Sequence, residues 1–249
     1  MKELLIEFQK IRGRKIWLAA AALLGAQCLW GLWAFRNMDA HELSQGWERC
    51  LYHFPVLNAV MMPVIIAVIA SRLCDVEHKG HTFKLLHTVM PAGKLFDAKF
   101  ICGALHMIAV GFFQVIVIII FGNVKGFGEV LPVDKLFYHL LFTTAINLTL
   151  LVLQQVLSLL FANQMLPFTV GLIGSFAGLF SMFFPKGIQK CLLWGYYGIL
   201  IQVGMNWDRD TRVTDFYSVP IDWTGFMLLG IMFAVIYIAG RMLFVRKEM

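Results

Sequence analysis

Acidic side chains are scarce in this chain, and long stretches have none. Of 249 residues only 15 are Asp or Glu, and charged residues of both signs make up 14%. Six segments hold no acid at all: 16–35, 54–71, 100–122, 138–162, 166–184 and 223–245; the one Lys or Arg among them is Arg241. A soluble domain of this size would need more polar surface than that. The chain also lacks a G-x-x-x-x-G-K-[ST] loop, which excludes a phosphate cradle for nucleotides of its own. It has neither G-x-S-x-G nor H-E-x-x-H, and no carboxylate at membrane depth. Its five cysteines form no C-x-x-C, and no zinc pattern follows from their spacing. Cys74, His78 and His81 fall at i, i+4, i+7, but three ligands without a fourth make a weak metal site. No metal site is therefore expected. A concentrated basic face or reader motif for nucleic acid is missing too.

What is present is apolar. Hydrophobic residues reach 59%, and the mean hydropathy is +0.74. A bilayer core about 30 Å thick takes roughly 20 apolar residues in a helix. In lipid, backbone groups must be satisfied within the segment, so each span is a helix. The six segments predict an all-α integral membrane protein of one domain, residues 1–249. Placing the N-terminus inside puts thirteen Lys and Arg on the inner side and eight on the outer, for net charges of +7 and −1. That is the positive-inside bias. An even number of spans keeps both termini in the cytoplasm, and the net charge of +6 reads as topology and attraction to anionic lipid. Leu4, Leu5, Phe8 and Ile11 recur at helical spacing opposite Lys2, Glu3, Lys10 and Arg14. They predict an amphipathic interfacial helix rather than a cleaved signal. Residues 191–205 are apolar and aromatic but short, and a seventh span would carry the C-terminal bases outward. A re-entrant or interfacial helix before the last span is expected there. Cys50 and Cys191 would both face outward, where a disulfide is open to them.

Polar and small residues inside the spans carry two readings each. His106, Gln114, Asn147 and Gln154 would line a polar path for substrate, or would hydrogen-bond helix to helix. Gly171, Gly174, Ser175 and Gly178 make two interleaved small-xxx-small pairs, suited to packing within one subunit or to a dimer seam.

The inner loop between the second and third spans is the most informative. Phe83, Leu86 and Met90 recur at i, i+3, i+7, beside Leu85 and Val89, with Lys79, Lys84 and His87 off the stripe. Gly80 and Pro91 punctuate the ends, which predicts a short amphipathic helix within 76–91. Such a helix suits a groove on a soluble partner.

These residues resemble a family. ABC transporter permeases of the type-2 exporter class have six spans with both ends inside. Their loop after the second span carries an acid, Gly and Thr, a Leu pair, Pro and a downstream Lys. Here those are Glu77, Gly80, Thr82, Leu85, Leu86, Pro91 and Lys99, with His81 splitting the usual Gly-Thr. In length and layout the chain looks most like lantibiotic (bacteriocin) immunity and resistance permeases. The resemblance implies a bacterial cytoplasmic membrane and a dimeric cytoplasmic ATPase that binds the ATP and Mg. It implies a second permease chain, identical or related, and a coupling surface of Glu77, Lys79, Gly80, Thr82, Phe83, Leu85, Leu86, Pro91 and Lys99. The substrate would be an amphipathic peptide or lipid-like molecule expelled outward. The rival classes are a membrane-embedded enzyme and a secondary carrier. Neither finds its usual marks here, a catalytic group at membrane depth or internal repeats with a coupling-ion site.

Overall fold

The computed structural model describes residues 2–13, 16–80, 90–128, 130–210 and 213–248. Helix α1 is Lys2–Arg12 and α2 is Ile16–Ala34. A short α3, Ala40–Ser44, leads into α4, Gly46–Gly80. Then come α5, Ala92–Lys125, α6, Val133–Leu160, and α7, Met165–Ser181. The short α8 and α9, Lys186–Gln189 and Tyr196–Ile199, flank a single 3-10 turn. Strands β1, Val203–Trp207, and β2, Thr214–Ser218, precede α10, Trp223–Glu248.

Five of these helices, α2, α4, α5, α6 and α10, are long and apolar enough to cross a membrane; α7 is apolar but has 17 residues. Each apolar segment of the sequence thus falls on a helix; α4, α5 and α10 outrun theirs, whereas 16–35, 138–162 and 166–184 run one to three residues past the ends of α2, α6 and α7. At 1.5 Å per residue, the 35-residue α4 is about 52 Å long and exceeds a bilayer core. Its Pro55 and Pro63 sit within the helix. The central element is α4, packed against α2, α6 and α7. Its Met62, Ile65, Ile66 and Ile69 are fully buried with Phe96 and Met107 of α5 and Leu150 and Leu151 of α6. By contrast α10 is mostly exposed, with Ile231, Val235 and Ile238 on an outward apolar face.

Two expectations need correction. Residues 191–205 are not one helix. They form short helical turns that end at Ile199, and Val203 begins a strand. Val203–Trp207 pairs antiparallel with Thr214–Ser218, from Val203↔Ser218 to Trp207↔Thr214, so the chain is not purely helical. The strands are rich in Val, Thr, Trp, Phe and Tyr, and the first is followed by the polar residues Asp208, Arg209 and Asp210. The second correction concerns the inner loop. Gly80 does not open a separate helix; Val76 to Gly80 are the last turns of α4. Residues 81–89, which carry most of the expected amphipathic helix, lie outside the described residues.

The hairpin is fastened to the end of the bundle where α4 begins. Gln45 accepts from the Phe216 N–H at 2.9 Å, and His41 Nε2 lies 2.9 Å from Asp215 Oδ1. Lys135 reaches Glu48 Oε1 and Ser218 Oγ, each at 2.8 Å. Fully buried Val203 joins Phe35, Cys50 and Phe54 in a second core beneath it. Cys50 is thus interior and Cys191 exposed, and neither is paired.

Candidate functional site

The opposite end of the bundle gathers the two stems of the inner loop. One stem is the end of α4, the other the start of α5. Between them lies a cluster of four charges, three of them buried and the fourth, Lys10, part-buried. Lys99 Nζ of α5 is 2.7 Å from Glu77 Oε2 of α4 and 2.8 Å from Glu7 Oε2 of α1. Lys10 Nζ of α1 is 2.7 Å from Glu7 Oε1 and 3.0 Å from Glu77 Oε1. Each lysine therefore bridges both glutamates, and the four charges cancel. Lys99 also donates to Leu73 O at 2.7 Å beside its bond to Glu7 Oε2, while Glu77 Oε2 meets it as a close ion pair. Such pairing is what an ionised group needs to be tolerated at zero exposure. The local cause is α1. Leu4 and Phe8 pack on the core and Leu5 faces out, which turns Glu7 inward.

Further ties hold the same end together. Arg241 Nε of α10 donates to Asp97 Oδ1 at 3.0 Å, and Tyr237 OH donates to the same oxygen at 2.8 Å. Gly93 leaves the room for the Arg241 guanidinium, which a Cβ there would meet. Gln155 Nε2 donates to Phe96 O at 2.9 Å, joining α6 to α5. His78 Nε2 is 2.9 Å from Ser158 O, joining α4 to α6. Lys247 Nζ donates to Leu160 O at 2.8 Å and so caps the end of α6. Both α1 and the end of α10 lie at this end of the bundle.

The residues expected to meet a partner divide into three groups. Glu77 and Lys99 are fully buried, so they brace the loop stems from within and offer no surface to another protein. Lys79, Gly80 and Pro91 are exposed; Lys79 pairs with Asp75 at 2.7 Å, and Pro91 is the residue before α5. Thr82, Phe83, Leu85 and Leu86 lie outside the described residues.

The four polar residues of the spans do not bond to one another among the described residues. Gln114 belongs to a buried network in which Asn58 Nδ2 donates to Gln114 Oε1 at 3.1 Å and Gln114 Nε2 donates to Asn58 Oδ1 at 2.7 Å. Gln27 of α2 donates to the same Asn58 oxygen at 2.5 Å, and His139 of α6 stands 3.4 Å from Gln114 Oε1. Asn147 Oδ1 accepts from Tyr197 OH at 2.5 Å. Gln154, with its amide oriented as its neighbours require, donates to Pro167 O and accepts from the Gly171 N–H. His106 stands apart, on the side of α5 that faces α2.

The small residues of α7 face inward. Gly171 lies against Gln154 and Ala67, and Gly174 and Gly178 against Trp194. A Cβ on Gly178 would stand 2.6 Å from the Trp194 carbonyl oxygen. Ser175 is fully buried and donates to Leu172 O at 2.7 Å.

Sequence reasoning missed Glu7, Lys10, His139 and the Asp97–Arg241 pair. A signal for Glu7 was available: it interrupts the apolar face formed by Leu4, Phe8 and Ile11. The signal for Arg241 was its isolation as the single charge in the last apolar segment.

The family model for ABC-2 family transporter proteins matches residues 4–178, and the chain belongs to that family. The match takes in α1, the charge cluster and the loop stems. Comparison with curated proteins and comparison with solved structures each gave no match. With its five long apolar helices, the chain is a multi-pass membrane protein and an ABC-2 type permease. Members of the family are membrane transport components that typically work with an ATPase partner.

Proposed function

We propose that this chain is the membrane-spanning subunit of an ATP-driven exporter in a bacterial cytoplasmic membrane. It moves an antimicrobial peptide of lantibiotic type, or a lipid-like amphiphile, outward in immunity or resistance. The observation that carries the coupling mechanism is the cluster Glu7, Lys10, Glu77 and Lys99 at the base of the inner loop. A soluble ATPase dimer binds ATP and Mg and receives the loop through Phe83, Leu85 and Leu86. Its closure pushes on Gly80 and Pro91. Because breaking a buried ion pair costs about 3–5 kcal/mol, α1, α4 and α5 move as one body under that push. ATP binding then shifts a two-state membrane assembly of two such chains, identical or related.

Six spans with both termini cytoplasmic fit this reading. Helix α7 is about 25 Å long, and it presents Ile173, Phe176 and Phe180 outward. A re-entrant path for 191–205 is supported by Tyr197, whose hydroxyl reaches Asn147 midway along α6. The substrate class rests on the resemblance in length and layout to lantibiotic permeases.

The test is a pull-down from native membranes in mild detergent, with wild type beside Leu86→Glu. An ATPase that copurifies with wild type and is lost with Leu86→Glu supports the reading. Absence of any ATPase from the wild-type sample would overturn it.

A further inference from the structure

A groove of about 250 Å³ runs between α2 and α5, walled by Trp17, Ala20, Leu24, Gly25, His106 and Phe113. Almost all of its lining is apolar; the ionisable group in it is His106. The chemistry of that ring is set by its neighbours. Nδ1 lies 2.8 Å from Cys102 O, one helical turn back. A carbonyl oxygen only accepts, so Nδ1 carries the proton. In the neutral ring this leaves Nε2, the far nitrogen, as an acceptor, and it has no partner among the described residues. One face of the ring is covered by Phe8 of α1, at 5.9 Å between centroids and 23° between planes.

The groove is continuous with the lipid-facing surface. Trp17 and Phe113, two of its walls, are 62% and 52% exposed. Beside them Ile101, Leu105 and Ile116 of α5 also face outward. Its occupant is therefore drawn from the bilayer. The volume falls below the roughly 300–1,000 Å³ of drug-sized sites, which suits one alkyl chain and not a folded peptide. A second groove provides the contrast. It lies between α6 and α10, measures about 330 Å³, and is walled by Leu148, Thr149, Phe226 and Phe233. There the Thr149 hydroxyl donates back to Ala145 O at 2.8 Å. Thr149 carries the one polar side chain in that wall, and it is almost fully buried with its proton used within α6. The groove thus offers no ring nitrogen like that of His106, and an ordinary lipid tail suits it.

We infer that the α2–α5 groove is a binding site for a single-chain amphiphile bearing a hydroxyl group, which donates its hydrogen bond to His106 Nε2 while its alkyl chain lies along Ala20, Leu24 and Gly25. The bound molecule meets a ring stacked on α1, the helix that supplies Glu7 to the charge cluster. The inference does not rest on the ATPase reading.

The experiment is photolabelling of the full chain in lipid nanodiscs with a diazirine-bearing long-chain alcohol, beside the matching diazirine alkane. The alcohol is expected to label residues 20–25 and 109–113 above the alkane. His106→Phe keeps a ring for Phe8 and removes the acceptor. It should weaken the alcohol's labelling about fivefold, the effect of one neutral hydrogen bond. Gly25→Leu adds its side chain where a Cβ meets nothing within 4 Å, so it fills the groove without disturbing the fold and abolishes labelling there. Labelling of the α6–α10 groove reports the fold of each variant and should not change. Equal labelling by alcohol and alkane in wild type would overturn the inference. So would alcohol labelling that survives His106→Phe or Gly25→Leu undiminished.

Discussion

Lys99 and Glu77 stand 2.7 Å apart with neither side chain exposed, one on each stem of the inner loop. The pair closes the base of the loop on the membrane side, and Glu7 and Lys10 extend the closure to α1. Removing the ammonium strands two buried carboxylates on Lys10 alone. Lys99→Met is therefore expected to cost about 3–5 kcal/mol, read as a large fall in melting temperature in detergent. Lys79→Ala, which removes an exposed partner of Asp75, should cost under about 1 kcal/mol. Similar losses in both variants would remove the special standing of the cluster.

Asn58 holds three helices together by bonding Gln27 and Gln114. Asn58→Leu leaves both glutamine amides buried with fewer partners. Hydrogen bonds between membrane helices average about 0.6 kcal/mol and reach about 1.7. The loss expected is about 1–2 kcal/mol, measured by unfolding in mixed micelles. A variant as stable as wild type would mean that the network adds nothing net.

Gly174 and Gly178 give Trp194 its place against α7. Gly178→Ala sets a methyl 2.6 Å from a backbone oxygen, which yields less readily than a side chain. A loss of about 1–3 kcal/mol is expected, with a shifted tryptophan emission as the segment that carries Trp194 lifts from α7. Gly230→Ala is the control, since a Cβ there meets nothing within 4 Å. It should be neutral or stabilise by up to about 1 kcal/mol, as Gly-to-Ala does in a helix interior. Equal effects at the two sites would argue against the Trp194 contact.

Asp222 sits just before α10 and accepts from the Gly225 N–H at 2.8 Å, while Lys190 Nζ lies 2.7 Å from its other oxygen. The bond from Lys190, then that from Thr224, holds its carboxyl well below the usual carboxylate range. A carboxyl lowered on folding stabilises fully above its unfolded pKa of about 3.9, and the contribution fades as pH falls toward the folded value. Asp222→Asn keeps a capping side chain and loses the ion pair. Its deficit against wild type, up to about 1 kcal/mol, should hold constant from pH 7 to about 5 and shrink below about pH 4. A deficit that grows on acidification would reverse the sign of the argument.

The apolar stretches were legible because membrane crossing is a local property. It depends on about 20 consecutive residues and on the charges at their ends, and both are read along the chain. For this reason α2, α4, α5, α6 and α10 could be located, although their ends could not. A helix continues past the lipid as long as its backbone bonds and its packing hold, so Glu77 and Gly80 fell inside α4 rather than in a separate loop helix. The hairpin was not legible, because the apolar count of 191–205 hides the change from helical turns to the strand at Val203.

Membrane class, family resemblance and the lack of a nucleotide cradle were determined by the residue order. Each is a sum over neighbours or a motif in one short segment. The partners of the polar residues were decided only in three dimensions. Glu7 and Lys99 are 92 positions apart, and Lys10 and Glu77 are 67 apart. No spacing rule links such positions. What joins them is the requirement that a buried charge find an opposite charge and a full set of hydrogen bonds, and which groups meet it depends on how the helices pack.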